Sequence, residues 1–195
     1  DESTILNSLT IGGSGAIDVA QDKTLTYEGA FLSLGANTLT ISGAGTLSSL
    51  SGYVLGDPAS VMRLTGTNTV SGPLSLNAGL IDVDESTILN SLTLGGSAAI
   101  DVAQDKTLTY EGVALSLGAN TLTISGAGSL SNASGYVLGD PSSILKLSGT
   151  NTVGGPVSLD SGTIDVDESS TLSSDLTLGG FATISVAEEK TLTYG

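Results

Sequence analysis

At 195 residues the chain is long enough for one domain, but its make-up is not that of an ordinary enzyme or nucleic-acid binder. It carries 20 acidic against 5 basic residues, and the net charge of −15 repels phosphate backbones and anionic lipid surfaces. The lack of His and Cys removes the commonest general base near neutral pH, the commonest metal ligand, and all thiolate and disulfide chemistry.

The hydrophobic fraction of 39% and a mean hydropathy of +0.30 argue against disorder. Thr, Val, Ile and Leu are abundant and there are only four Pro, a composition that favours strands. Apolar runs are short and alternating, so no segment is long enough to insert in a membrane.

The chain opens on Asp1-Glu2-Ser3-Thr4-Ile5-Leu6-Asn7, which returns at Asp84-Glu85-Ser86-Thr87-Ile88-Leu89-Asn90 and again, altered, at Asp167-Glu168-Ser169-Ser170. The period is 83 residues (84 − 1 and 167 − 84), giving copies over 1–83, 84–166 and a partial 167–195. A long period without helical patterning predicts a stacked array, here one continuous segment over 1–195. The chain starts and stops inside copies, as a slice of a longer protein would, so targeting signals could lie outside it.

Four shorter units lie inside each copy, over 16–37, 38–60, 61–79 and 80–98 in the first. They open on Ala16-Ile17-Asp18-Val19, Thr38-Leu39-Thr40-Ile41, Val61-Met62-Arg63-Leu64 and Leu80-Ile81-Asp82-Val83. Each continues to a second short strand around Leu25, Leu47, Val70 and Leu89, and to a third around Leu32, Val54, Leu74 and Leu92. Gly35-Ala36-Asn37, Gly56-Asp57-Pro58 and Asn77-Ala78-Gly79 then close their units, and apolar alternation bounded by such residues is the strand-and-turn pattern. The predicted fold is all-β: a parallel β-solenoid of about nine coils of roughly 20 residues, three short strands per coil, stacked at about 4.8 Å into a rod on the order of 45 Å.

This register predicts columns of like side chains. One inward column reads Ile17, Leu39, Met62, Ile81, Ile100, Leu122, Leu145, Ile164, Ile184, and the next reads Val19, Ile41, Leu64, Val83, Val102, Ile124, Leu147, Val166, Val186. A third reads Leu25, Leu47, Val70, Leu89, Leu108, Leu130, Val153, Leu172, Leu192. All 27 positions are aliphatic or Met, each worth roughly 1.5–3 kcal/mol when buried. Between copies, Val61-Met62-Arg63 becomes Ile144-Leu145-Lys146, a near-isosteric exchange that a packed core tolerates. One extra residue in the third copy falls near Ser173-Ser174-Asp175, where a surface turn is expected.

The stretch from Leu64-Thr65-Gly66-Thr67-Asn68-Thr69-Val70 through Asn77-Ala78-Gly79-Leu80-Ile81-Asp82-Val83 resembles the autotransporter-associated β-strand repeat. The second copy shares the pattern from Leu147-Ser148-Gly149-Thr150-Asn151-Thr152-Val153 to Asp160-Ser161-Gly162-Thr163-Ile164-Asp165-Val166. Val70 and Val153 stand where that family usually has an aromatic residue, and Pro73 and Pro156 where it has Thr. The match covers about a quarter of each copy. It implies a secreted, surface-exposed passenger region with a right-handed parallel solenoid; it does not imply an enzymatic activity.

Candidate chemistry is sparse. Asp18, Thr40, Arg63, Asp82, Asp101, Thr123, Lys146 and Asp165 are expected to form one outward column, with Arg63 beside Asp82 and Lys146 beside Asp165. Asp82 next to Asp101, helped by Asp84 and Glu85, is the one place where a Ca²⁺ ion could sit. A solvated face with weak ion pairs is the stronger expectation, so no cofactor is predicted. Gly12-Gly13-Ser14-Gly15-Ala16-Ile17-Asp18 resembles a calcium-binding nonapeptide, but its Asp arrives one residue late and the motif does not recur at nine.

Thr24, Thr46, Thr69, Ile88, Thr107, Ser129, Thr152, Thr171 and Thr191 form a second column, flanked by a mixed one through Thr26 and Ser48. Thr-x-Thr arrays resemble ice-binding faces, yet Thr is also a favourable strand residue. A polysaccharide-active solenoid enzyme would need a cation to stabilise developing charge, and Lys23, Arg63, Lys106, Lys146 and Lys190 are scattered by the repeat. No catalytic or metal-binding residues are therefore expected. Asn132-Ala133-Ser134 is a glycosylation sequon by pattern, with Ser49 in its place in copy one. Tyr27, Tyr53, Tyr110 and Tyr136 recur and are expected to cover coil corners.

The reading is a structural, extracellular rod or fibre segment of a large repetitive bacterial surface protein. Its expected partners are further coils of the same or an identical chain, end to end, with surface glycans or host ligands a further option. Nucleic acid is not an expected partner.

Overall fold

The structure, a computed structural model, describes residues 2–195. Those residues form a parallel β-solenoid of about nine turns of about 21 residues, with no helix among them. Every strand pairing is parallel and joins a coil to the next one along the stack.

Three faces run along the rod. Face one is built from strands such as Gly15–Val19, Thr38–Gly43, Val61–Leu64 and Leu80–Val83. Face two is a ten-stranded sheet from Thr4–Leu6 to Leu192–Tyr194. Face three carries the shortest strands, beginning with Leu32–Ser33 and Tyr53–Leu55. Alternation sets which side chains point inward: in Thr38–Gly43, Leu39 and Ile41 are buried while Thr38 and Thr40 are not. The interior is a continuous aliphatic column, with Met62, Leu64, Ile81, Val83, Ile100 and Ile124 wholly removed from water. No coil encloses a core alone, so each depends on its neighbours for burial. The core opens at the last coil, where Ile184 and Val186 are 39% and 42% exposed against 0% for Ile164 and Val166.

Most of the expected register is present, including Leu39–Met62–Ile81–Ile100 and Leu122–Leu145–Ile164–Ile184. It differs at one joint on face one in each full copy. Ile17 lies opposite Ile41 rather than Leu39, and Val19 opposite Gly43; Ile100 lies opposite Ile124, and Val102 opposite Gly126. Face two slips likewise near the start of each copy. Leu89 faces Tyr110 rather than Leu108, and Leu172 faces Tyr194 rather than Leu192.

Each slip is two residues, an even number, so inward residues stay inward. Period-two alternation is therefore kept in either register, but the all-aliphatic columns belong to the unslipped one: in the observed register Val19 faces Gly43 and Leu89 faces Tyr110. The glycines fix the choice on face one. Gly43 and Gly126 have φ of +87° and +81°, and a Cβ on either would strike the carbonyl of Val19 or Val102. That close approach lets the Val19 carbonyl accept from the N–H groups of Ala44 and Gly45 at 3.0 and 2.9 Å. On face two, Thr87 turns inward opposite Leu108, and its hydroxyl donates to the Gly66 carbonyl at 2.9 Å.

The tyrosines are core residues rather than corner covers. Tyr27, Tyr53, Tyr110 and Tyr136 are 5%, 1%, 3% and 1% exposed. The extra residue of the third copy lies in the turn between Ser170–Leu172 and Leu176–Val186, as expected.

Candidate functional site

The charged stripe on face one is a row of paired groups. Arg63 Nε lies 2.7 Å from Asp84 and 3.5 Å from Asp82, bridging two coils. One copy later Lys146 Nζ lies 2.7 Å from Asp167 and 3.1 Å from Asp165. Lys106–Glu85 at 2.6 Å and Lys190–Glu168 at 2.7 Å close the neighbouring corner. These cations are held by their carboxylates, which raises Arg63 above its ordinary range chiefly through its hydrogen bond to Asp84, and Lys146 through its hydrogen bonds to Asp167 and Asp165. The Asp82 carboxyl is raised, first by burial and then by Asp84, with Arg63 opposing and Asp101 adding to the rise.

The face-one slip changes the outward column. Asp18 and Asp101 lie beside Ser42 and Ser125 instead of Thr40 and Thr123. Ser42 Oγ donates to Asp18 at 2.7 Å, and Ser125 Oγ donates to Asp101. Of the four carboxylates considered for calcium, Asp82 and Asp84 thus face the guanidinium of Arg63, Asp101 accepts from a serine and Glu85 pairs with Lys106. Among the described residues no three His, Cys, Asp or Glu side chains are grouped to hold a metal ion.

The Thr column is also redistributed. Thr24, Thr46, Thr69 and Ile88 align, but Ile88 then lies beside Thr109, and Thr171 beside Thr193. The row is stepped once near the start of each copy, which breaks a straight lattice. Asn132 of the sequon is 1% exposed; its amide donates to the Gly135 carbonyl at 2.6 Å and its Oδ1 accepts from the Ser134 N–H at 3.0 Å. It is a turn cap, and Ser49 does the same task in copy one by accepting from the Gly52 N–H at 2.9 Å.

Two features escaped the sequence reading. The first is the buried asparagine of the Gly-x-Asn-Thr turn. Asn68 Nδ2 donates to the Ser42 and Gly43 carbonyls at 2.8 and 3.0 Å, and Asn151 Nδ2 to the Ser125 and Gly126 carbonyls at 2.8 and 2.9 Å. These carbonyls flank the glycines that carry the slip, so one asparagine per copy satisfies the bend below it. Its recurrence at 83 residues beside Gly66 and Gly149 was the available signal.

The second is a cleft on face three. The ladder of this face stops at Thr93–Leu94 and resumes at Leu115–Ser116, between the coil over 80–98 and the one after it. The opening has a volume of about 380 Å³ and is lined by Leu92, Leu94, Val113, Ala114 and Leu115 among others. An equivalent cleft of about 390 Å³ lies one repeat earlier, against Leu9, Ile11, Phe31 and Leu32. The two strands bordering the second cleft still have Cα atoms within 8 Å of each other. An inserted strand would need roughly 9.6 Å, twice the strand spacing, so the cleft does not accept one. Tyr110 and Tyr27 close each cleft from below by donating to the Leu92 and Leu9 carbonyls at 3.1 and 3.3 Å.

Comparison of the chain with protein-family models, with curated proteins and with solved structures finds no match in any of the three. The class of protein defined here is therefore the parallel β-solenoid with tandem repeats, resting on the fold alone.

Proposed function

We propose that the chain is a structural, non-catalytic rod segment of a large repetitive bacterial surface protein, displayed outside the cell as a stalk, adhesin or filament. The observation that carries this is the duplicated architecture. The same core, ion pairs, caps and clefts recur at 83 residues, and a duplicated scaffold extends length without elaborating one unique site. Catalytic sites more often sit on long, singular loops over a rigid scaffold.

Other features agree with this reading. Paired cations leave the surface acidic, which keeps a long rod soluble and repels nucleic acid. The resemblance to autotransporter passenger repeats, carried by Gly66-Thr67-Asn68-Thr69 and Gly149-Thr150-Asn151-Thr152, points to the outer surface. The ladder in which each coil pairs in parallel with the next fits further coils of the same or an identical chain, stacked end to end. Stepped Thr rows weigh against ice binding.

Antibody labelling of intact and permeabilised producing cells tests the location. Equal labelling of both is expected; labelling only after permeabilisation overturns the extracellular reading.

A further inference from the structure

We propose that the two face-three clefts bind one partner, a basic peptide segment that lies extended along the rod and seats an apolar side chain in each cleft. The proposal adds a lateral partner to the rod reading and does not depend on where the rod is displayed.

Charge selects the partner. Every Lys and Arg lies on face one or the turn that follows it. The outward residues of face three are uncharged, as in Ser33, Val54, Ser75 and Thr93. Its bordering turns carry Glu28, Asp57, Glu111, Asp140, Asp160 and Asp175 and no cation. Among the described residues none of these six carboxylates is in an ion pair. On face one, by contrast, Arg63 and Lys146 each stand between two carboxylates. A basic partner therefore meets fixed cations on face one and only carboxylates around face three. An acidic partner, a second copy at −15 included, is repelled there.

The clefts set its spacing. Phe31 is 60% exposed and Val113 77% exposed, each at the mouth of a cleft, and Glu28 and Glu111 lie in the same two turns. Each cleft thus puts an apolar hollow beside a carboxylate, which suits an apolar side chain neighboured by Lys or Arg. The clefts lie four coils apart, roughly 19 Å at the strand spacing. An extended segment rises roughly 3.3 Å per residue, so six residues span about 20 Å. Six is even, so both apolar side chains fall on the same side of the segment. The basic residues between them reach the acidic rim while their aliphatic stems stay on the uncharged strip.

Each contact is modest, because an exposed ion pair contributes at most about 1 kcal/mol. Binding is therefore sensitive to salt, and additional repeats along a longer rod strengthen it through avidity.

Fluorescence titration of the whole chain with two heptapeptides at low salt tests this. One peptide has a Trp at each end of five Lys, and the other has the same residues with its two Trp adjacent. The chain has no Trp, so the emission reports burial of the peptide alone. The spaced peptide is expected to shift its emission to shorter wavelength and to bind at least tenfold more tightly than the rearranged one. Phe31→Ser/Val113→Ser is expected to weaken it at least tenfold, and Glu28→Gln/Glu111→Gln several-fold. Asp22→Asn/Asp105→Asn removes two carboxylates at the corner after face one, where Asn tolerates the φ of +59° and +61°, and is expected to change little. All six positions are exposed, and an unchanged circular-dichroism melt verifies the fold. The proposal is overturned by an absent emission shift, by equal binding of the two peptides, or by equal losses from Glu28→Gln/Glu111→Gln and Asp22→Asn/Asp105→Asn. Self-association of the chain that displaces the peptide also overturns it, by giving the clefts to a second copy. None of these results touches the display of the rod, which the surface labelling tests separately.

Discussion

The hydroxyl of Tyr110 crosses the core and donates to the carbonyl of Leu92 at 3.1 Å, at the point where face three loses its ladder. In an intact parallel sheet that carbonyl would be bonded by the next coil. Gly112 makes the arrangement possible, because a Cβ there would strike the Tyr110 ring; Gly29 stands in the same relation to Tyr27. Sequence, packing and ladder are thus linked through the pairs Tyr27–Gly29 and Tyr110–Gly112.

Tyr110→Phe is expected to cost about 1 kcal/mol, the net worth of one hydrogen bond. Gly112→Ala is expected to cost more, about 1–3 kcal/mol, because the ring must shift in a packed core. Thermal melts followed by circular dichroism give both values, and a neutral Gly112→Ala would contradict the clip.

Tyr53 and Tyr136 occupy equivalent positions but differ in bonding. The Tyr53 hydroxyl is buried without a partner, whereas Tyr136 donates to the Leu130 carbonyl at 3.4 Å. Tyr53→Phe should therefore raise stability by about 1 kcal/mol by removing an unsatisfied group, and Tyr136→Phe should be neutral or slightly destabilising. Burial raises both hydroxyls well above the ordinary tyrosine range. The neutral form is the one the fold favours, so this stability is fully present below about pH 10 and is lost as pH rises further. An alkaline absorbance titration is expected to show these two tyrosines ionising only with unfolding.

Asn151→Ala is expected to destabilise by about 2–4 kcal/mol, since it strips the Ser125 and Gly126 carbonyls of their donor inside the core. Asn151→Asp should be at least as damaging, because it removes the donor and buries a charge. Denaturant midpoints of the two variants provide the comparison.

Asp82→Asn is expected to leave stability at pH 7 unchanged or raise it by less than about 1 kcal/mol, as befits a partly exposed ion pair. The raised Asp82 carboxyl means the folded state holds its proton more tightly than the unfolded chain. Its contribution is therefore favourable at low pH and is lost as pH climbs through the carboxylate range. Melting temperatures from pH 3 to 7 should show the wild type losing ground to the variant as pH rises.

Coil length, strand positions and inward faces were legible in the sequence because period-two alternation reports burial directly. The two-residue slips were not, since even shifts conserve that alternation; the evidence for them lay in Gly43, Gly126 and Thr87, whose neighbours appear only in three dimensions. Corner positions were expected for Tyr27, Tyr53, Tyr110 and Tyr136 from their recurrence alone, whereas all four rings are buried in the core. Pairing of Arg63 with Asp82 was readable from adjacency in the column, whereas its shorter contact to Asp84 depends on the turn after the strand. The face-three cleft left no pattern in the sequence beyond the recurrence of Leu9 and Leu92.

Repeat-dependent length is the core of the account. Electron microscopy of the producing cell's surface, with genes carrying different numbers of the 84–166 copy, measures it most directly. Rods or fibres are expected that lengthen by roughly 19 Å per added copy, four coils at the strand spacing. A surface without rods, or rods whose length ignores copy number, would contradict it.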